Sequence, residues 1–151
     1  MTTKTLLINA SQHKDGNTMQ MGSEILQGID HDTIHLVDYR VNSLGQAFSD
    51  EQFDVILSAM KKADTLVIGT PVYWHTVSGS LKVLIDRLSE HEADLSGKNL
   101  VFFYQGASPS EEAKTQMTYM MTRFADVMQM NLVTIATSGQ VTTANNLLKK
   151  L

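Results

Sequence analysis

Short runs of consecutive apolar residues alternate along the chain with stretches in which apolar residues recur every three or four positions. Thr5 to Ile8, Thr65 to Ile68, Leu100 to Tyr104 and Leu132 to Ala136 are each bounded by polar or turn-forming residues. Unbroken apolar runs of this length predict strands buried on both faces. Thr33 to Asp38 is more polar, mixing Ile34, Leu36 and Val37 with His35, and predicts a strand at a sheet edge.

Between the runs, apolar residues keep the i, i+3, i+4, i+7 spacing that gathers them on one face of a helix. They are Gly22, Ile25, Leu26 and Ile29, then Phe53, Ile56, Leu57 and Met60, then Leu81, Leu84, Ile85 and Leu88. Met117, Met120, Met121 and Phe124 follow, and Ala144, Leu147, Leu148 and Leu151 close the series. Ser49 with Gln52 reads as a capping box opening the second helix. Ser108-Pro109-Ser110-Glu111 reads as the start of the fourth, with Ser108 at N-cap, Pro109 in the first helical position and Glu111 at N3.

Strict alternation of strand and helix with short connections implies a parallel sheet, right-handed crossovers and helices on both faces. The expectation is an α/β three-layer doubly wound fold with a five-stranded parallel sheet. The polar second strand favours the order 2-1-3-4-5, which puts it at an edge and opens a crevice at the carboxyl ends of strands 1 and 3.

Composition narrows the chemistry. The 151 residues suit one domain over 1–151, with 12 basic and 16 acidic side chains and a formal charge of −4, too mild for a nucleic-acid-binding surface. With no cysteine there is no disulfide, thiolate nucleophile or Cys-ligated metal. Met1-Thr2-Thr3-Lys4 leads into only a short apolar run, unlike a secretory signal, and no stretch matches a membrane span, so a cytoplasmic protein with no membrane partner is expected. His31 and His35 lack the one-faced spacing of a helical metal pair, and Leu95 stands where a zinc-protease motif beginning His91-Glu92 needs its second histidine. No metal ligands are assigned.

The loop after strand 1, Asn9-Ala10-Ser11-Gln12-His13-Lys14-Asp15-Gly16-Asn17-Thr18, is small, polar and glycine-containing and runs straight into a helix. Helix N-termini present unpaired N–H groups and a partial positive charge, so these residue types suit a phosphate; the alternative is a polar turn that only caps the helix. Neither G-x-x-x-x-G-K-[ST] nor G-x-G-x-x-G occurs, which leaves a mononucleotide monophosphate. Strand 3 leads into Gly69-Thr70-Pro71-Val72-Tyr73-Trp74-His75-Thr76-Val77-Ser78-Gly79-Ser80, with the single tryptophan on a loop. Loop aromatics at a crevice offer a flat surface to a conjugated ring; the alternative is that they cover a helix end or a subunit contact.

These loops resemble signatures of the NADPH-dependent FMN reductases and related flavodoxin-like oxidoreductases. Thr70, Pro71, Val72, Tyr73, Ser78, Gly79, Leu81, Lys82, Asp86 and Arg87 fall at the spacing of the second signature. In the first, Ser11, Lys14, Gly16, Asn17 and Thr18 match, while Gln12 and His13 stand where the family usually has proline and arginine.

The resemblance implies a flavodoxin-like FMN-binding domain that passes electrons from NADPH or NADH to a small acceptor such as a flavin or quinone. Phosphate contacts would come from Ser11, His13, Asn17 and Thr18, and ring contacts from Pro71, Val72, Tyr73, Trp74, Gly106 and Ala107. No side chain is assigned a catalytic role, because the flavin carries the chemistry. Lys82, Asp86 and Arg87 read as surface pairing and packing. Relatives imply a homodimer with the aromatic loop near the partner chain. A flavodoxin-type electron carrier and a cofactor-free binding scaffold of the same fold are the alternatives.

Overall fold

A computed structural model describes residues 3–151. Met1 and Thr2, the start of the stretch read for a secretory signal, lie outside them.

Five strands form one parallel sheet: β1 (Thr5–Asn9), β2 (His31–His35), β3 (Thr65–Pro71), β4 (Asn99–Gln105) and β5 (Asn131–Ala136), in the order β2-β1-β3-β4-β5. The helices are α1 (Asn17–Ile25), α2 (Phe53–Lys62), α3 (Gly79–Leu88), α4 (Glu92–Leu95), α5 (Glu111–Val127) and α6 (Val141–Leu148), with 3-10 turns at Leu36–Asp38 and Ser138–Gln140.

Successive strand side chains point to opposite faces, and this alternation divides the core in two. Leu6, Ile8, Leu66, Ile68, Leu100 and Phe102 face a larger cluster closed by α2, α3 and α5. Leu7, Val67, Val101 and Phe103 face a smaller one closed by α1 and α6. Of the residues picked out by helical spacing, Phe53, Ile56, Leu57, Met60, Leu81, Leu84, Leu88, Met117, Met121 and Phe124 are all buried. Each such side chain contributes about 1.5–3 kcal/mol by leaving water.

Four local expectations are corrected. Strand β2 is His31–His35 rather than Thr33 to Asp38, because the five residues of β1 pair with residues 31–35 and offer nothing further. Leu36 instead opens the 3-10 turn and drops into the larger core. Ser49 does not open α2; the helix begins at Phe53 with Gln52 at its N-cap and no side-chain cap. Gln52 is engaged by Arg40, whose carbonyl accepts from its N–H and whose N–H donates to its Oε1.

At α5 the cap is Ser110, whose hydroxyl accepts from the N–H of Ala113, and not Ser108. Ser108 has φ 40°, a left-handed conformation incompatible with the extended backbone of an N-cap. The last helix, Val141–Leu148, buries Ala144 and Leu148 but ends before Leu151, which is exposed beyond it.

Candidate functional site

Three loops meet at the carboxyl ends of β1, β3 and β4. In the first, residues 10–16, Ser11 N–H donates to Oδ1 of Asn9 at 3.1 Å and His13 N–H donates to Oγ of Ser11 at 3.0 Å. These successive side-chain turns carry the chain to Gly16, the N-cap of α1. The helix has no side-chain cap and no acidic residue in its first turn, so its leading N–H groups and partial positive charge are available to an anion. Gly16 keeps this turn tight: a Cβ there would lie 3.1 Å from Cβ of His13.

The predicted phosphate contacts divide by exposure. His13 and Asn17 are open to solvent, whereas Ser11 and Thr18 are buried. The Thr18 hydroxyl is turned toward the third loop and accepts from Nε2 of Gln105 at 2.9 Å. Lys14 pairs with Asp38 at 2.8 Å and fastens the outer side of the loop to the 3-10 turn after β2.

The second loop folds back on itself. Tyr73 and Thr76 exchange both backbone hydrogen bonds, closing a two-residue hairpin over Trp74 and His75 at φ 48° and 65°. Trp74 at its tip is 93% exposed. Tyr73 faces the first loop, its hydroxyl accepting from Nε2 of Gln12 at 3.2 Å. Pro71 and Val72 are buried, so their side chains serve the fold. Buried Thr70 accepts from the N–H of Ser78, and Ser78 caps α3 by accepting from the N–H of Leu81. Ser80 then donates to the carbonyl of Ala10, tying the start of α3 to the first loop.

The third loop begins with three left-handed residues, Gly106, Ala107 and Ser108, at φ 94°, 56° and 40°. Glycine takes this conformation freely and the other two at a cost, a form of strain that collects at ligand sites. Gln105, just before it, touches both other loops, through its side chain to Thr18 and through its carbonyl, which accepts from the N–H of Val72 at 3.0 Å. A cavity of about 350 Å³ lies between this loop and Thr137–Ser138. A larger one of about 570 Å³ lies at the opposite end of the sheet, lined by Lys4, Asp32, Asp54 and Lys62, remote from the loops.

The remaining motif residues act as structure. Lys82 pairs with Asp86 one turn along α3 at 2.6 Å. Arg87 holds Glu51 through both guanidinium nitrogens, donates to the carbonyl of Asn42 and lies over the ring of Phe53. The loop between β2 and α2 is thereby pinned to α3. The Arg87 guanidinium, with the N–H of Asn42, brings the Glu51 carboxyl down to about 2. Asp94, held by His91 and Lys61, also lies below the usual carboxylate range. Both are away from the three loops.

Asn9 and Gln105 stand in the loops read from the sequence but were assigned no contact of their own there. Each is a polar residue ending an otherwise apolar strand run, and that was the available signal. Among the described residues, no group of His, Cys, Asp or Glu could hold a metal ion.

The sequence matches the family described as NADPH-dependent FMN reductase over residues 3–142. A Bacillus subtilis protein named as an NAD(P)H-dependent FMN-containing oxidoreductase is 30% identical over 95 residues, covering 58% of this chain and 52% of that one. An iron-sulfur flavoprotein of Methanocaldococcus jannaschii is 34% identical over 98 residues, covering 56% and 51%. The chain spans about half the length of these curated relatives. A Trp repressor binding protein from Bacillus subtilis superposes with a TM-score of 0.72 at 20% identity, covering 96% of this chain and 95% of that one, which shows the shared fold. With that flavodoxin-like architecture and a family match over most of its length, the chain belongs to the NADPH-dependent FMN reductase family.

Proposed function

We propose that this protein binds FMN in the crevice between the three loops and is an oxidoreductase that passes electrons from NADPH or NADH to a small acceptor such as a flavin or quinone. The observation that carries this reading is the uncapped first turn of α1, which carries no acidic residue, at the end of a loop that Gln12 joins to Tyr73 beside Trp74. Those groups fit the two ends of FMN, an anion and a flat heterocycle.

Bound FMN would supply the hydride and electron chemistry. The chain's part is binding, orientation and access. The first turn of α1 holds the phosphate with His13 and Asn17 beside it. Ser11 and Thr18 lie beneath it, their hydroxyl oxygens accepting from the His13 N–H and the Gln105 amide and their own O–H groups left to donate toward the phosphate. Tyr73 and Trp74 present ring surface, while Pro71, Val72, Gly106 and Ala107 offer main chain. No acidic side chain stands in the first turn of α1 to oppose the phosphate.

The same reading includes a homodimer with the aromatic loop near the partner chain, supported by the exposure of Trp74. It also includes a cytoplasmic location; among the described residues no helix is long and apolar enough to cross a membrane.

Titration of the purified chain with FMN, followed by anaerobic addition of NADPH and then a quinone, tests the proposal. Flavin uptake, bleaching by NADPH and recovery with the quinone are expected. Flavin uptake without bleaching by either nicotinamide would identify an electron carrier, and no uptake a cofactor-free scaffold.

A further inference from the structure

We propose that Asn9 is the positioning residue of the phosphate cradle, folding residues 11–13 around its side-chain amide, and that His35 on the edge strand locks that amide in place. The inference rests on the reading that the crevice takes the phosphate of FMN.

Asn9 ends β1 with 1% exposure, so its amide must find partners inside the protein. Its Oδ1 accepts from the N–H of Ser11 at 3.1 Å. Its Nδ2 donates to the carbonyl of His13 at 3.1 Å and meets Nδ1 of His35 at 3.0 Å.

The first two partners are backbone groups whose roles never change: Ser11 N–H only donates, and the His13 carbonyl only accepts. Turning the amide over would set donor against donor and acceptor against acceptor, so its orientation is fixed. It follows that His35 must offer a bare Nδ1 to the remaining Asn9 donor and carry its proton on Nε2. The amide then has no spare donor, and the Ser11 and His13 N–H groups are consumed within the loop. The uncapped first turn of α1 remains as the main-chain donor set for a ligand.

Sheet topology makes this possible. Asn9 and His35 are register partners at the ends of adjacent parallel strands, which brings the histidine ring to the amide. The Lys14–Asp38 pair ties the far side of the loop to the 3-10 turn that follows β2. The cradle is thus anchored at two points, on the end of the edge strand and on the turn after it.

Parallel titrations with FMN and riboflavin, which differ only in the phosphate, test the proposal, with circular dichroism and thermal unfolding as checks on the fold. Wild-type protein is expected to prefer FMN. Asn9→Ala should lose about tenfold of that preference, with riboflavin binding changed by less than about twofold. His35→Leu, which lacks an acceptor, should show the same selective loss, and His35→Asn, whose amide oxygen occupies the place of Nδ1, should retain most of the preference. If Asn9→Ala does not fold, the two His35 variants decide the matter.

Variants that keep the wild-type FMN-to-riboflavin ratio, whether both affinities fall together or neither changes, would overturn the positioning role while leaving the phosphate reading intact. Wild-type protein that binds the two flavins equally would overturn the phosphate reading and this role with it.

Discussion

Gly69 on β3 lies opposite Phe103 on β4, and the phenyl ring occupies the space that a side chain at 69 would need. A Cβ built at Gly69 would stand 2.0 Å from Cζ of Phe103, a distance no packing tolerates. Phe103 is fully buried between the sheet and the α1–α6 layer, so the ring has little room to retreat. Glycine in a central strand here permits close approach.

Gly69→Ala is therefore expected to destabilise the protein by about 1–3 kcal/mol through overpacking. Phe103→Leu should recover part of the loss in that background although it destabilises the wild type. Urea denaturation of the four proteins in the cycle measures the coupling.

The Arg87–Glu51 pair gives acid unfolding a recognisable component. Glu51 is held near 2 in the folded protein against an ordinary value of 4.5, so the folded state favours the ionised form. Its stabilisation is complete above 4.5 and is lost as pH falls toward 2. Thermal unfolding followed from pH 6 down to about pH 2 should show a smaller decline for Glu51→Gln than for wild type, with the variant less stable at neutral pH.

The hairpin at Trp74 and His75 carries two non-glycine residues in left-handed conformation. Two-residue hairpins with positive φ at both positions favour Asn-Gly. Replacing Trp74-His75 by Asn-Gly should raise stability by about 1 kcal/mol, read as a higher midpoint in urea. If Trp74 contributes ring surface as proposed, the same variant should bind FMN more weakly.

His13 is exposed in the first loop, where the signature that loop resembles usually has arginine. His13→Arg adds a permanently charged fork suited to phosphate and should tighten FMN binding by about tenfold. Riboflavin affinity should stay unchanged. Flavin fluorescence quenching checks both.

Much of the architecture was legible because it rests on local patterning. Apolar runs gave β1, β3 and β4 as buried strands and also marked β5, which lies at the other edge and is only half-buried; helical spacing gave the faces that pack, and the polar character of Thr33 to Asp38 placed the second strand at an edge. The element boundaries that failed were decided by distant partners. The pairing of β1 with residues 31–35 ended β2 early, and the bonds of Gln52 to Arg40 delayed α2.

The site divides in the same way. Its loops could be recognised from their small, polar and aromatic residues. The hydrogen bonds between them could not, because Gln105 meets Thr18 across 87 positions and Gln12 meets Tyr73 across 61. Parallel strands bring those ends together, and no local sequence pattern records the pairing. Thr18 is an example: nothing near it in the sequence shows that its hydroxyl is buried and accepts from Gln105.

The strand order also governs when the chain can fold during synthesis. β1 lies between β2 and β3, so a nascent chain that has emerged only through His35 can form one strand pair with a bare inner edge. The sheet gains its central member only when Pro71 clears the ribosome, and β4 and β5 must then add in sequence on one side. Until translation reaches that point, Leu6, Leu7 and Ile8 have no finished interior to enter, and unpaired strand edges with exposed apolar side chains are the kind of surface through which incomplete domains associate.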